Sequence, residues 1–411
     1  MEQETLVIIF WSLNMGGIET NAVQIMKNAL DKKRRTIWVG DSKKEYSSNF
    51  RDVIESPNLE FVSMNIHSID LFKIPAINFR TNEKITFVTF NLYDCFKAFK
   101  FRSKYRENQI KVICVVPHFT SPAVLLEQTL YKPFQGLVKS TCGNIYKELY
   151  DNGNLHFFSD IHHEALENNY HISLPGSTEK VVRNLRKQIG FSVEKRQAIY
   201  RNKTKFTIVS AGRFEFPHKG FLVGLIKEFA RLSIKYPQLE LLIIGEGAGK
   251  DTLDRLINSL PESIQDKITF KTPVPPARLV EIMLECDLNI SVAGCASIGA
   301  KAGVLTLPAR HYTYDCEVYG FIPECAGKFT SSEPGYPASD FIEKAVNMTE
   351  EEYIAACEKN YSWFNQYEPN LNYPFDTVQH ISYYPSKKYF VFLRIVFLIY
   401  RFSFLVKRIF G

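Results

Sequence analysis

The chain has 411 residues, more than a single hydrophobic core usually organises, so two or three domains are expected. With 45% hydrophobic, 14% aromatic and 23% charged residues, the composition is ordinary globular, which excludes a disordered chain, a collagen-like fibre and a disulfide miniprotein. The net charge is +6, yet Pro385 to Gly411 holds six basic residues and no acidic one; the 384 residues before them are formally neutral, and no nucleic-acid partner is expected.

In chain order, Leu6 to Leu13 reads as a strand and Asn14-Met15-Gly16-Gly17 as a loop. Ile18 to Leu30 follows as a helix, because Ile18, Ala22, Ile25, Met26 and Leu30 recur at helical spacing. Strand-like runs then lie at Thr36 to Val39, Leu59 to Met64, Ile85 to Phe90, Ile110 to Val116 and Leu155 to Ser159. Strands separated by helical patterns predict a parallel sheet. Between about Pro175 and Lys205 the apolar runs stop and Lys and Arg accumulate, which marks a linker with a short helix near Val181 to Ile189. A second series follows: strands at 206–210, 239–244, 268–272, 288–292 and 304–307, with helices at 221–236, 252–260 and 277–286. The expected division is a Rossmann-like acceptor domain at 1–180, a linker at 181–204 and a Rossmann-like donor domain at 205–345. A helical segment at 346–384 is expected to return toward the first domain, and an amphipathic helix to occupy 385–411. In parallel sheets ligands bind beyond the carboxyl ends of the strands, so two such sheets facing one another predict a central cleft.

The segment Ser210-Ala211-Gly212-Arg213-Phe214-Glu215-Phe216-Pro217-His218-Lys219-Gly220 joins a strand to a helix. It sets two cations, Arg213 and Lys219, beside a helix N-terminus, where N–H groups and the helix dipole already favour an anion such as a diphosphate. The alternative is a pair of solvated surface charges. Gly245-Glu246-Gly247-Ala248-Gly249-Lys250 is one residue short of a P-loop and has Asp251 where Ser or Thr must hold magnesium, so an ATPase is rejected. His162-His163 lies on a helix with the two rings about 100° apart, which suits structural residues better than a shared ligand. The eight cysteines form no CxxC and no short Cys/His spacing, so no zinc site is expected and the thiols read as free in a reducing compartment. The acidic start Met-Glu-Gln-Glu and the short apolar run after it do not read as a signal peptide.

The stretch from Gly212-Arg213 to Lys219-Gly220 resembles the Gly-Arg...Lys-Gly signature of GT-B glycosyltransferases, in particular the retaining family 4. Other segments agree in order: Asn14-Met15-Gly16-Gly17-Ile18-Glu19 is similar to that family's Gly-Gly-x-Glu loop, and Val115-Val116-Pro117-His118 to its strand ending in His. Leu155-His156-Phe157-Phe158-Ser159 is similar to its strand ending in Ser, Leu242-Ile243-Ile244-Gly245-Glu246-Gly247 to its Gly-x-Gly strand end, and Asp287-Leu288-Asn289-Ile290-Ser291 to the strand before the donor loop. The resemblance spans roughly residues 5 to 365 and implies a GT-B fold and transfer from a nucleoside-diphosphate sugar to a glycan or glycolipid acceptor. It further implies retention of configuration; with cations and helix N-termini to take up the leaving group's charge, no metal or other cofactor is expected. By the same likeness Gly16, Gly17, Arg213, Lys219, Gly245, Glu246, Gly294 and Ser297 are donor-binding candidates, and His118 is the candidate beside the transferred sugar; the alternative for His118 is a structural histidine.

One departure is plain. The family places two glutamates eight positions apart around the donor loop, and Ser291 to Leu307 contains no acidic residue. Small residues from Gly294 to Ser297 still leave N–H groups bare for a phosphate. The first carboxylates afterwards are Asp315 and Glu317, with Glu317 as the donor candidate and an ordinary loop charge as its alternative. The missing pair keeps open a catalytically silent GT-B subunit or scaffold, and a sugar-nucleotide epimerase.

Lys387, Arg394, Arg401 and Arg408 recur every seven residues, which on an α-helix makes one basic stripe amid aromatic and aliphatic residues. A spanning helix would put Arg394 and Arg401 inside the bilayer at roughly 2.5–3.5 kcal/mol each, whereas an interfacial helix on an anionic membrane avoids that cost. The expectation is a cytoplasmic protein, peripheral on the inner face of the cytoplasmic membrane, working on a lipid-linked or lipopolysaccharide or capsule precursor. A helix buried against the body or in a dimer is the alternative.

Overall fold

Near-continuous apolar strands need cover on both faces, and each of two compact units supplies it with helices. The computed structural model describes residues 4–10, 17–41, 46, 50–64, 72–116, 132–158, 160–175, 190–201, 204–325, 328, 333–365 and 383–410. One unit is Met1–Arg186 with Asn370–Gly411; the other is Lys187–Pro369.

The first unit runs β1 (Glu4–Ile9), α1 (Gly17–Asp31), β2 (Arg35–Gly40), α2 (Arg51–Ile54), β3 (Leu59–Ser63), β4 (Lys84–Thr89), α3 (Leu92–Lys104), β5 (Gln109–Val116), α4 (Lys132–Asp151), β6 (Leu155–Phe157) and α5 (Asp160–Tyr170). Its six strands lie in the order β3-β2-β1-β4-β5-β6, all parallel, with Val7 opposite Ile37 and Phe87. Alternate residues of β1 feed two cores: Val7 and Ile9 join Phe87, Phe96 and Phe99, while Leu6 and Ile8 join Met26, Trp38 and Val115.

The second unit runs α6 (Val193–Arg201), β7 (Phe206–Ala211), α7 (Phe221–Lys235), β8 (Leu239–Ile244), α8 (Lys250–Asn258), α9 (Glu262–Gln265), β9 (Ile268–Lys271), α10 (Pro276–Leu284), β10 (Leu288–Ser291), α11 (Ala293–Lys301), β11 (Leu305–Pro308), β12 (Glu317–Val318), β13 (Tyr336–Pro337), α12 (Ala338–Val346) and α13 (Glu350–Asn365). Five parallel strands take the order β11-β10-β7-β8-β9, and β12 pairs antiparallel with β13. The order reverses between β7 and β10, which makes their carboxyl ends the natural ligand position of this sheet.

Two boundaries fall elsewhere than the sequence suggested. Helix α6 lies inside the expected linker, yet its Arg196 is buried and donates to the carbonyls of Leu284 and Cys286. Helix α13, expected to return toward the first domain, buries Tyr353 and Cys357 in the second unit's core, with the Tyr353 hydroxyl donating to Asp287 O at 2.9 Å. The helix expected near Val181 to Ile189 lies outside the described residues.

The chain closes with α14 (Lys387–Phe410), part of the first unit. Tyr389, Leu393 and Val396 are buried in that unit's core. Phe390 packs edge-on to Phe72 and Phe96 of the same unit, and the hydroxyls of Tyr383 and Tyr389 both donate to Glu148 on α4. Val391, Ile395, Leu398 and Ile399 form an exposed apolar stripe along the other side. No helix among the described residues is long and apolar enough to cross a membrane.

Candidate functional site

The loop between β7 and α7 is folded around Gly212, whose φ of 155° lies where side chains are strained. A Cβ there would stand 2.7 Å from Lys219 Nζ, so glycine is what lets the lysine lie across the loop. The Lys219 N–H donates to Glu215 O at 2.7 Å and closes the turn. Arg213 is half-exposed and reaches Glu215 at 3.6 Å, whereas the Lys219 ammonium has no hydrogen-bond or ion-pair partner among the described residues. Burial pulls its pKa down; proximity of Cys295 opposes this, Arg213 adds to it, and the Glu215 carboxylate opposes it. A largely desolvated cation with no ion-pair partner among the described residues, its nearest carboxylate Glu215 turned to Arg213, stands at a sheet's switch point as a site prepared for an anion.

The Gly245–Gly249 loop after β8 holds this loop in place. Phe214 N–H donates to Glu246 O, Gly249 N–H donates to Phe214 O, and Gly212 N–H donates to Ile244 O. A Cβ on Gly245 would sit 1.9 Å from Gly212 O, so close backbone approach requires this glycine. The Glu246 side chain is exposed, and Lys250, the P-loop-like lysine, is drawn into an ion pair with Asp254 and over the Phe270 ring.

Helix α11 starts at the end of β10 with no side-chain cap at Val292, and Ala293 is in the left-handed region with φ 49°. Space over Gly294 is open: a Cβ there would meet nothing within 4 Å. Ser297 Oγ, expected to face a phosphate, donates to Ala293 O at 3.2 Å along its own helix. A buried relay missed in the sequence fixes this start: Asn289 Nδ2 donates to Cys295 O, Ser291 Oγ to Asn289 Oδ1, and Ala211 N–H to Ser291 Oγ. It ties the first turn of α11 to the end of β7, the same strand that leads into Arg213 and Lys219.

Beyond β11 the chain brings His311, buried, within 3.0 Å of His218: its Nδ1 faces His218 Nε2. Glu317 is committed to structure, since Oε2 accepts from Arg310 Nη1 at 2.9 Å and from Gly335 N–H at 2.8 Å. Burial raises its pKa, and the Gly335 N–H and Arg310 outweigh this and leave it below the usual carboxylate value. Asp315 is exposed. Among the described residues no three His, Cys, Asp or Glu side chains converge as a metal site requires.

In the first unit, Gly17 is the exposed first residue of α1. Gly16, His118 and Ser159 lie outside the described residues, as do the side chains of Arg401 and Arg408 on α14. Lys387 and Arg394 are exposed on that helix. His163 is buried with Nε2 at 2.9 Å from Leu174 O, a structural role as expected.

Residues 192–298 match the family model described as Glycosyl transferases group 1. No curated protein matches the chain in sequence. Among solved structures, the chain is similar to a glycosyltransferase from Rickettsia africae at 12% identity and TM-score 0.56, with 90% of this chain and 96% of that one covered. It is also similar to Anabaena HepE in complex with UDP and glucose, at 12% identity and TM-score 0.54, covering 88% and 94%. A third is a variant of S. aureus TarM in complex with Fondaparinux, alpha-GlcNAc-glycerol and UDP, at 10% identity and TM-score 0.52, covering 91% and 97%. The chain thus has the fold of GT-B glycosyltransferases and carries, over residues 192–298, a glycosyl transferases group 1 segment that includes Arg213 and Lys219.

Proposed function

We propose that this glycosyltransferase moves a sugar from a nucleoside-diphosphate sugar to a membrane-associated glycan acceptor, a lipid-linked or lipopolysaccharide or capsule precursor, with retention and without a metal. The observation that carries the donor assignment is the Lys219 ammonium, largely desolvated and without an ion-pair partner among the described residues, beside the uncapped start of α11. When the glycosidic bond to the diphosphate breaks, negative charge grows on the leaving oxygens; Lys219, Arg213 and the first N–H groups of α11 stabilise it, while the anomeric carbon becomes oxocarbenium-like. The complexes of HepE and TarM with UDP favour a uridine donor. By the family resemblance His118 serves the sugar-transfer step, so His118→Ala lowers kcat with donor affinity nearly unchanged.

The acceptor assignment rests on α14. Its exposed Val391, Ile395, Leu398 and Ile399, with Lys387, Lys388 and Arg394 exposed alongside, suit an anionic lipid surface, each cation near the leaflet contributing about 1 kcal/mol. A catalytically silent subunit is the second reading, favoured by the absence of acidic residues from Ser291 to Leu307 and by the engagement of Glu317 with Arg310. The donor assignment is tested by thermal shift with UDP, GDP, ADP and CMP. One diphosphate is expected to stabilise the protein by about 2.7 kcal/mol at a hundredfold excess over Kd, and CMP far less; equal response to CMP would remove the diphosphate cradle.

A further inference from the structure

The strand order β11-β10-β7 places β7 and β11 on either side of β10, from whose end α11 starts. The hydrogen bond between His218, on the loop after β7, and His311, on the loop after β11, therefore ties together the loops that flank the start of α11. Tyr312 reinforces the tie: its backbone lies in the left-handed region at φ 56°, its N–H donates to His218 O at 3.2 Å, and its ring centre is 4.9 Å from that of His218. His218 immediately precedes Lys219, so whatever fixes its ring also fixes the lysine's backbone.

We propose that the His218–His311 pair is a proton-linked positioning element of the donor site: it holds the Lys219 loop, and binding of a diphosphate draws a proton onto the pair. This rests on the donor assignment above. The bond between two ring nitrogens needs one donor and one acceptor, so the neutral pair shares one proton there. The groups acting on His218 are Lys219, Arg213 and Glu215 of its own loop, and His311 and Tyr312 of the facing one. In the free protein burial disfavours the imidazolium, Lys219 adds to this, Glu215 opposes it, and Arg213 adds further. A bound diphosphate neutralises the two cations and brings its own negative charge. The bound state then holds more proton than the free state, and donor affinity rises as pH falls through the window between the two histidine pKa values. Each pKa unit by which the diphosphate raises the pair is about tenfold in affinity.

The test uses isothermal titration calorimetry of the full chain with UDP-glucose, GDP-mannose and ADP-glucose, diphosphate diesters that have no titrating group of their own near neutrality. Affinity of the binding donor is measured from about pH 8 to about pH 6, in buffers of different ionisation heat. The expected result is a gain of about tenfold on acidification with net proton uptake. His218→Gln and His311→Gln are each expected to abolish the slope and the uptake. Should buried His311→Gln fail to fold, the partly exposed His218→Gln decides alone. Binding by wild type without a pH slope, or a slope retained in His218→Gln, overturns the pair's role and leaves the donor assignment standing. Binding of none of the three at any pH overturns the donor assignment, and the inference with it.

Discussion

Replacing Lys219 by methionine separates a ligand-binding cation from a structural one, because the two roles give opposite signs. Methionine keeps most of the apolar stem and removes only the ammonium. In the free protein that ammonium has a pKa below its ordinary 10.5 because it is desolvated, with Arg213 adding to the effect. The unfolded chain therefore binds the proton more strongly than the folded one between the lowered value and 10.5, so stability from this group falls as pH falls through that window. Lys219→Met should leave the free protein as stable as wild type or more so; a gain of about 1 kcal/mol would raise Tm by roughly 2–4 °C. Toward alkaline pH the difference should shrink. Binding should move the other way: losing a charge-assisted contact to phosphate costs about 1.5–3 kcal/mol, roughly ten- to hundredfold in UDP affinity, while uridine, which lacks the phosphates, is affected little. Both effects are read from one thermal-shift series with UDP and uridine. A variant less stable than wild type, or one that loses UDP and uridine equally, would refute the cradle and make Lys219 a folding residue.

Gly245→Ala should lower stability by about 2–3 kcal/mol in urea unfolding, since its Cβ would meet Gly212 O at 1.9 Å; a neutral result would contradict the backbone contact between the two loops. Glu317→Gln should cost about 1 kcal/mol at neutral pH. Because the folded pKa of Glu317 is depressed, its contribution exists above the unfolded value near 4.5 and is lost as pH falls through the folded one, so wild type and variant should converge in acid; a constant gap would discount the charge. Truncation at Pro385 removes Tyr389, Leu393 and Val396 from the first unit's core, about 1.5–3 kcal/mol for each aliphatic side chain, and is expected to unfold that unit rather than merely release it from lipid. Ile395→Asp with Leu398→Asp changes only exposed positions, and should abolish flotation with anionic vesicles at unchanged Tm; undiminished flotation would move lipid contact off this stripe.

The strands were legible in the sequence because both faces of a parallel sheet are covered and the runs at 6–9, 85–89, 110–116 and 239–244 have almost no polar interruption. The cation pair after β7 was legible for a local reason: strand, glycine, two basic residues and helix are consecutive. Helix α3 was not read, since it carries Lys97, Lys100, Arg102 and Lys104 among its apolar residues and buries Lys97 against Asp94 at 3.0 Å. Its apolar spacing therefore looks diluted. The seating of α13 depends on Tyr353 reaching Asp287, and the histidine pair joins positions 93 residues apart. No periodicity reports such contacts, although a histidine next to a basic residue after each of two strands, in His218-Lys219 and Arg310-His311, is a signal available to inspection. The glycines after β8 were read as ligand-facing, and the fold spends Gly245 on backbone contact. The seven-residue basic stripe of α14 points to an amphipathic, lipid-facing helix; the structure divides its apolar residues, burying Tyr389, Leu393 and Val396 in the first unit's core and exposing Val391, Ile395, Leu398 and Ile399.

The most direct measurement is turnover. Full-length protein is incubated with the nucleotide sugar whose diphosphate stabilises it, together with membrane lipid extract, and release of the nucleoside diphosphate is followed with time. The account predicts release that requires both protein and extract and that falls at least tenfold in Arg213→Ala and in Lys219→Met at subsaturating donor. Tight binding of the nucleoside diphosphate with no release from any sugar nucleotide, with the extract present, would contradict it and identify the chain as a silent GT-B subunit.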